Sequence, residues 1–331
     1  MFRLGAAVTV PVALVGCGAW GENLLRVLSE SPRAELVAVA DTSAARREVA
    51  RAKAPSTAIV ESLEEAIGLG ARAVVIATPP RSHASLVLTA LDAGLDVLVE
   101  KPLAVSAADA ERCALRAAAL GRVAMVGHLL RYHPAVERLV AMVHDGALGT
   151  MRHLAASRLS IRGDRSVPAL WSLGPHDLSI VHAIEPLRIE ALEATSGPDG
   201  DPVVLGLRLV SGFAARIELS RVHATKERRI VVVGSSAVAM LDDVRAPDRI
   251  FLSRPPSRSD GIFEGPAEEI RVPWREPMAA EIDHFLRCVE ERRAPRTPFE
   301  EGAVVVRALG QAERVLAEAS LKPASLRAEG S

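Results

Sequence analysis

The pattern that most constrains the fold is the glycine-rich segment GCGAWG at residues 16–21. It follows the apolar run Val12–Val15, which predicts a buried strand, and it leads into an amphipathic stretch from about Gly21 to Ser29, which predicts a helix. A GxGxxG segment between a strand and a helix is typical of the first turn of a dinucleotide-binding Rossmann domain. The sequence therefore predicts an α/β fold with a nucleotide site at this turn.

The three glycines have separate expected roles. Gly16 permits a tight turn, Gly18 lets the backbone approach a pyrophosphate, and Gly21 lets the helix pack closely on the sheet. The helix N-terminus would supply amide donors and a partial positive charge to the phosphates. An ordinary strand–helix turn is the alternative explanation for the same three residues.

A carboxylate follows at the distance that this site requires. Asp41 ends the second predicted strand, 20 residues after Gly21. There it could accept hydrogen bonds from the adenosine ribose and repel a 2′-phosphate, so NAD is expected rather than NADP. Arg46 and Arg47 lie nearby and could soften this preference, although a solvated helix face explains them equally well.

The rest of the first half alternates short apolar runs with amphipathic stretches. This alternation predicts a parallel, doubly wound sheet. The predicted strands are Glu35–Ala40, Val74–Ala77, Val97–Val99 and Val123–Val126, and the predicted helices are Thr42–Lys53, Ser82–Ala93 and Ala107–Leu120.

After Gly127 strand-like runs dominate, which predicts an α+β domain with an open, largely antiparallel sheet. The predicted strands are Met151–Ser160, Ile189–Thr195, Val203–Leu209, Phe213–Val222, Arg229–Val233 and Ala237–Leu241. Helices are predicted over 134–145, from about His176, over 278–292 and over 299–318, with a loop at 254–267 and a frayed tail at 321–331.

The length of 331 residues suggests two domains, which we place at 1–127, an NAD-binding Rossmann domain, and at 128–331. The chain has 40 basic and 41 acidic residues and a net charge of −1, which gives no general attraction to nucleic acid or to an anionic membrane. No run of about 20 apolar residues predicts a membrane span.

The cysteines and the N-terminus predict a reduced, cytoplasmic protein. Cys17, Cys113 and Cys288 are far apart, so neither a disulfide framework nor a cysteine-rich metal site is expected. The apolar residues 1–16 lead straight into the glycine turn and lack the polar flank and cleavage site of a secretory signal.

Two more segments complete a recognisable pattern, VIATPPRSH at residues 75–83 and DVLVEKPL at residues 96–103. With the glycine turn and a downstream His176, they make the chain resemble the glucose–fructose oxidoreductase/inositol dehydrogenase/MocA family, whose hallmark is the EKP at residues 100–102. The resemblance extends through nearly the whole chain. It implies an NAD-dependent oxidoreductase whose second domain binds the substrate and forms oligomers.

Within that family, GHLLRYHP at residues 127–134 resembles the segment that opens the substrate domain, and LWSLGPHD at residues 170–177 resembles the start of the catalytic helix. Together they are similar to a subgroup that oxidises C3 of UDP-N-acetylglucosamine and related nucleotide sugars. Many relatives carry Asp four residues before the catalytic His, where this chain has Ser172. Either another group such as Asp177 compensates, or proton affinities at the site differ, or activity is weakened.

Lys101 and His176 are the implied catalytic pair. Oxidation of a secondary alcohol needs a base that reaches the hydroxyl. Lys101 follows a strand at the sheet edge where doubly wound folds bind ligands, and it could orient the hydroxyl. His176 titrates near neutrality and would be the base, with Gly174 and Pro175 placing it at a helix start where the dipole favours its neutral form. A surface lysine and a capping or core histidine are the alternatives.

The predicted substrate residues are Lys101, Arg131, Tyr132, Ser172 and His176. Arg131 could pair with a phosphate or carboxylate, although domain-hinge packing explains Arg131 and Tyr132 equally well. His128 and His133 lie near in the sequence, but no Cys or acidic residue has ligand spacing with them, so no metal is predicted.

The remaining predicted cofactor contacts flank the glycine turn and the EKP segment. Trp20 either packs over the pyrophosphate or ribose or fastens the helix, and Glu100 is expected to anchor the EKP turn by accepting backbone hydrogens. Thr78 and Pro79 are expected to shape the loop beneath the nicotinamide, and His83 to cap the next helix. The full predicted cofactor set is Gly16, Gly18, Ala19, Trp20, Gly21, Asp41, Thr78, Pro79, His83, Glu100 and Lys101.

The leading hypothesis is NAD-dependent oxidation of a sugar hydroxyl, with C3 of a UDP-sugar such as UDP-N-acetylglucosamine as the implied position and a 3-keto sugar as the product. A keto-sugar reductase and an inositol or hexose dehydrogenase share the cofactor machinery and stay open. A non-catalytic NAD sensor or scaffold is the alternative of another class. A homodimer or homotetramer through the sheet at residues 151–241 is expected, with no nucleic-acid or membrane partner.

Overall fold

The structure is a computed structural model that describes residues 9–161, 167–254 and 267–321. These residues form two compact units. The first runs up to Tyr132 and includes Arg275–Val306, and the second consists of His133–Trp274 and the residues from Arg307 onward. The division of roles at residues 127 and 128 stays a prediction, and the structure adds that the chain returns to the first unit at Arg275.

The strands, in chain order, are β1 (Val10–Val15), β2 (Ala34–Ala40), β3 (Ala58–Val60), β4 (Ala73–Ile76), β5 (Asp96–Glu100), β6 (Ala124–Gly127), β7 (Met151–Ile161), β8 (Ile189–Ser196), β9 (Val203–Leu209), β10 (Ala214–Ser220), β11 (Val222–Gly234), β12 (Val238–Asp242), β13 (Arg249–Ser253) and β14 (Glu268–Arg271). The helices are α1 (Ala19–Glu30), α2 (Ala44–Lys53), α3 (Leu63–Gly68), α4 (His83–Asp92), α5 (Ala107–Ala119), α6 (Pro134–His144), α7 (Ala169–Ile184), α8 (Pro277–Glu291) and α9 (Phe299–Leu321).

The first unit is built on a parallel sheet in the order β3-β2-β1-β4-β5-β6. Its strands are apolar on both faces because helices cover both sides, and β4 and β5 are buried along their whole length. The order turns at β1 and β4, so their carboxyl ends form the crevice where doubly wound sheets bind ligands. The predicted Rossmann fold is confirmed.

Helix α8 joins the core of this first unit. Ile282, Phe285 and Leu286 on α8 pack into the same cluster as Leu14 on β1 and Leu24 on α1. The sequence shows the amphipathic pattern of α8 but not what it packs against, because α8 is far from β1 and α1 along the chain.

The second unit is built on an eight-stranded sheet in the order β14-β13-β12-β11-β7-β10-β9-β8. All neighbouring strands are antiparallel except β7 and β10, which are parallel, so the predicted, largely antiparallel sheet is confirmed. Helix α7 covers one face of this sheet by packing on β7 and β10. The side chains of β9 alternate accordingly: Val203, Leu205 and Leu207 are buried, whereas Arg208 is exposed. Assembly through the other face stays a prediction.

Several elements differ from the sequence-based prediction. Strand β3 and helix α3 were missed because they have 3 and 6 residues, too few to show a period. Strands β13 and β14 were also missed, and β11 begins at Val222 where the predicted strand ended. Helix α7 begins at Ala169 instead of near His176.

Parts of three other predictions lie outside the described residues: the N-terminal segment before residue 9, most of the loop at 254–267 and the tail beyond residue 321. Within the ranges that the structure covers, no helix is both long and apolar enough to cross a membrane.

Candidate active site

The glycine turn joins β1 to α1, and two of its glycines are required by close backbone contacts. Gly16 has φ +95°, and a Cβ there would lie 2.7 Å from the carbonyl oxygen of Ala77. A Cβ on Gly21 would lie 2.1 Å from the carbonyl oxygen of Gly16, so α1 can pack onto the turn only without a side chain. These contacts agree with the tight turn and the close helix packing that the motif predicts.

Gly18 faces open space, because a Cβ placed there would meet no atom within 4 Å. Gly18 is the N-cap residue of α1 and has no side chain that could accept a hydrogen bond. The backbone N–H groups of the first turn, which begins with Ala19, are therefore not capped by this residue. Trp20 in the same turn is 42% exposed. An open cradle at an uncapped helix N-terminus fits a pyrophosphate.

Asp41 follows β2 and faces this turn. Its Oδ2 accepts from the backbone N–H of Cys17 at 2.8 Å, and its Oδ1 accepts from the N–H of Ser43 at 2.8 Å. A carboxylate has about four acceptor sites, so both oxygens can still accept from ribose hydroxyls. Arg47 donates to the backbone oxygen of Asp41 and to Glu61, which gives this arginine a structural role.

Trp20 and Glu100 link α1 to the end of β5. The indole Nε1 donates to Oε1 of Glu100, and Oε2 accepts from the N–H of Lys101 at 3.3 Å. Of the two roles left open for Trp20, this contact favours fastening the helix. Glu100 accepts a backbone hydrogen as predicted and is only 6% exposed. Burial raises the pKa of Glu100, against the opposing effects of Trp20 and Lys101.

His83 fastens two loops and does not cap α4. Its ring nitrogens lie 2.7 Å from the carbonyl oxygen of Pro102 and 2.8 Å from that of Thr78. The imidazole is fully buried, and burial lowers the pKa of His83. The expected capping role is therefore wrong, because Ser82 occupies the N-cap position of α4 and both ring nitrogens of His83 contact these carbonyls instead of the helix end. Pro79 begins the short turn that leads from Thr78 to His83.

Arg131 and Tyr132 lie against the core of the first unit. Arg131 forms a largely buried ion pair with Glu301. The Tyr132 ring is 1% exposed, and its hydroxyl lies 3.0 Å from Oγ1 of Thr297, which donates to the carbonyl oxygen of Val126. These contacts favour the packing alternative, and the substrate-binding role of both residues stays a prediction.

His176 lies in the middle of α7, in the second unit, whereas Lys101 belongs to the first. The expectation that His176 begins a helix is wrong, because Pro175 is tolerated inside α7, and the argument from the helix dipole falls with it. Ser172 lies one turn before His176, so the two share one face of the helix.

Asp177 is committed to Arg158 on β7. The guanidinium Nε lies 2.8 Å from Oδ2 and Nη2 lies 2.9 Å from Oδ1, and both side chains are buried. Successive helix residues point about 100° apart, so Asp177 faces the sheet and not the side of His176. The suggestion that Asp177 replaces the carboxylate missing at Ser172 is therefore not supported.

His133 pairs with an acidic residue of the second unit. Nε2 of His133 lies 3.1 Å from Oδ1 of Asp243. Burial by itself would raise the pKa of Asp243, but His133 and Arg228 together lower it. Over the described ranges of the chain, no three His, Cys, Asp or Glu side chains come together as a metal site.

One buried residue near the EKP segment was missed by sequence reasoning. Glu281 on α8 is fully buried, and neither carboxyl oxygen has a hydrogen-bond partner. The sequence did carry a signal, because Glu281 falls on the apolar stripe of the helix with Met278 and Phe285. An acid on a core stripe marks either a buried pair or a functional group.

The amino-acid sequence is similar to those of known proteins. A family model described as an oxidoreductase family with an NAD-binding Rossmann fold, GFO_IDH_MocA, matches residues 10–128. The chain is 29% identical over 258 residues to UDP-N-acetylglucosamine 3-dehydrogenase of Acidithiobacillus ferrooxidans, over 76% of this chain and 80% of that enzyme. It is 30% identical over 226 residues to an inositol 2-dehydrogenase of Acidothermus cellulolyticus, over 64% of this chain and 66% of that one.

Solved structures show the same fold. The A. ferrooxidans enzyme superposes with a TM-score of 0.84 over 95% of this chain and 100% of its own, at 23% identity. A protein of Magnetospirillum magnetotacticum, provisionally called an oxidoreductase, superposes with a TM-score of 0.79 at 32% identity over 91% of this chain and 99% of its own.

Proposed function

This chain belongs to the glucose–fructose oxidoreductase/inositol dehydrogenase/MocA family of NAD-binding oxidoreductases, and from that premise we propose that it oxidises a secondary hydroxyl of a sugar. It is an oxidoreductase of CH–OH groups that uses NAD. The observation that carries the proposal is the glycine turn, where Gly18 faces an open cradle and Asp41 faces the same turn.

Different residues would bind different parts of the dinucleotide. The first turn of α1 offers amide donors to the pyrophosphate, and Gly18 leaves the space for it. Asp41 would accept from the adenosine ribose, and its charge disfavours a 2′-phosphate there. When bound, NAD would supply the acceptor for the hydride of the alcohol carbon.

Two residues would handle the hydroxyl proton. Lys101, at the carboxyl end of β5, would hold the hydroxyl oxygen through its ammonium group. His176 would take the proton, since imidazole titrates in the working range of a general base. Ser172, one turn before His176, carries a hydroxyl and would bring no negative charge to the imidazole. Asp177 would not supply that charge either, because its carboxylate is paired with Arg158.

For the substrate we propose a nucleotide sugar oxidised at C3, giving a 3-keto sugar. The support is the similarity to a UDP-N-acetylglucosamine 3-dehydrogenase over most of both chains. The identity to an inositol 2-dehydrogenase is 30%, over a smaller share of this chain, 64%, so a cyclic polyol is the substrate class to compare.

The test is NADH formation by the full chain with UDP-N-acetylglucosamine, myo-inositol and simple hexoses, with the product checked for a new ketone. Lys101→Ala and His176→Ala should each lower turnover by about 10²–10⁴-fold, the usual contribution of a positioned proton-transfer group. NAD affinity by calorimetry should survive both changes. His223→Ala, an exposed histidine on β11, is the matched control and should keep full turnover.

Each alternative has its own outcome. Turnover only with a keto sugar and NADH would identify a reductase. Tight NAD binding without turnover on any substrate would identify a sensor or scaffold. Near-normal turnover in His176→Ala would show that this histidine is structural and would remove it from the mechanism.

A further inference from the structure

Glu281 is an unusual acid for a protein core. It is fully buried in the first unit, and no hydrogen bond reaches either carboxyl oxygen. Other buried acids are paired: Asp96 with Arg292, Asp177 with Arg158 and Glu301 with Arg131. An ionised carboxylate without a partner is very unfavourable in such a place, so a lone buried acid takes up a proton. Burial raises the pKa of Glu281 well above its usual value, and Glu100 adds to this.

Glu100 is the neighbour whose charge acts on Glu281, and its surroundings are different. Trp20 donates to one of its oxygens and the N–H of Lys101 to the other. Close packing against β6 leaves little room around it, since a Cβ on Gly127 would lie 3.2 Å from Oε1. Donors favour the charged form of a carboxyl. Of the two acids, Glu100 is therefore the one equipped to carry a negative charge.

Glu281 also acts on a further titratable group, Tyr132, in the turn before α6. Burial, helped by Glu281, raises the pKa of this phenol, so Tyr132 stays neutral. The guanidinium groups of Arg131 and Arg296 act on Tyr132 in the opposite direction. Lys101 is the cation beside Glu100. Among the described residues, the charged and titratable groups around the pair are therefore two carboxyls, one phenol, the Lys101 ammonium group and these two guanidinium groups.

We propose that Glu281 is a positioning residue for Lys101: it holds the proton of a carboxyl pair, so that at neutral pH Glu100 carries a single negative charge next to Lys101. A negative charge beside an ammonium group favours its charged form. Lys101 thus stays a donor to the substrate oxygen, and the proton of the alcohol goes to His176. This role rests on the proposed function of Lys101, whereas the carboxyl pair itself does not.

The pair can be observed without turnover through the indole N–H of Trp20, which donates to Glu100. In protein labelled with ¹⁵N-tryptophan, the Trp20 resonance, assigned with Trp20→Phe, should shift twice as pH rises, first when Glu100 ionises and again when Glu281 does. Glu281→Gln should keep the first transition and lose the second. Glu281→Met, which removes the carboxyl and keeps an unbranched chain, should behave alike and serves if the glutamine variant misfolds.

Glu291→Gln is the matched control, because Glu291 ends the same helix but is exposed and paired with Arg293. It should retain both transitions. If Glu281→Gln instead loses the first transition and titrates between the two wild-type transitions, at least about one unit above the first, then Glu281 carries the charge and the proposal is wrong. A Trp20 titration identical in wild type and both Glu281 variants would also overturn it.

The positioning role is tested on the NAD-loaded enzyme. At alkaline pH the ionised Glu281 adds a second negative charge to the pair that includes Glu100, the neighbour of Lys101. Glu281→Gln should therefore move the alkaline limb of the kcat profile to lower pH and leave the acidic limb in place. An unchanged profile, with the Trp20 transitions altered, would show a pair that does not act on Lys101. Absence of activity in every protein would count against the proposed function alone, since the resonance still reports the pair.

Discussion

The buried ion pair between Arg158 on β7 and Asp177 on α7 allows a quantitative test of what fixes the helix that carries His176. The guanidinium meets the carboxylate through two hydrogen bonds of 2.8 and 2.9 Å, and their side chains are only 9% and 1% exposed. Arg158→Met leaves the Asp177 carboxylate buried without its partner. Breaking a buried pair in this way costs about 3–5 kcal/mol of unfolding free energy.

The reverse change should cost less. In Asp177→Leu the charge of Asp243 still acts on the Arg158 guanidinium. The double variant removes both charges and replaces them with apolar groups, so it should lie within about 1 kcal/mol of the wild type. The sum of the two single losses should then exceed the loss of the double variant by more than about 2 kcal/mol.

The measurement is urea unfolding of the four proteins at neutral pH, followed by circular dichroism. Arg208→Met is the matched control, because Arg208 pairs with Glu190 on the same sheet at 3.0 Å but the two side chains are 62% and 55% exposed. That change should cost less than about 1 kcal/mol. A loss equally small for Arg158→Met, or a double variant as unstable as the sum of the singles, would refute the reasoning.

Three further results are expected. Gly21→Ala should lower the unfolding free energy by about 3 kcal/mol, because its Cβ would lie 2.1 Å from the carbonyl oxygen of Gly16. Gly18→Val, at a position that faces open space, should leave urea unfolding unchanged and abolish NAD binding measured by calorimetry. Asp41→Ala should narrow the preference for NAD over NADP in kcat/KM; equal use of NADP by the unmodified protein would contradict the assigned role. Because the folded-state pKa of Glu281 is raised, the stability it contributes is present below its unfolded pKa and lost as pH rises through the folded one, by up to about 1.4 kcal/mol per pH unit. Urea unfolding of Glu281→Gln should therefore show a weaker loss of stability with rising pH than the wild type, and parallel curves would count against a buried neutral acid.

The sequence determined those features that depend on neighbours along the chain. A strand, a glycine turn and a helix lie within about 20 residues, and the steric demands of Gly16 and Gly21 arise inside that segment. The alternation of strands and helices fixed the parallel sheet, because each apolar strand must be covered on both faces. The catalytic candidates came from the resemblance to a family and not from periodicity.

Only the tertiary structure decided the partners of the buried polar groups. Trp20 meets Glu100 across 80 residues and Arg131 meets Glu301 across 170, and nothing in the local pattern pairs them. Helix α7 extends through Pro175 because its packing outweighs the lost hydrogen bond, so His176 is internal where the sequence placed a helix start. Hydrophobic periodicity tells which face of an element is buried. Which charge, carboxyl or hydroxyl that face then meets depends on how distant elements are packed, and that packing decides whether an acid such as Glu281 is paired, solvated or neutral.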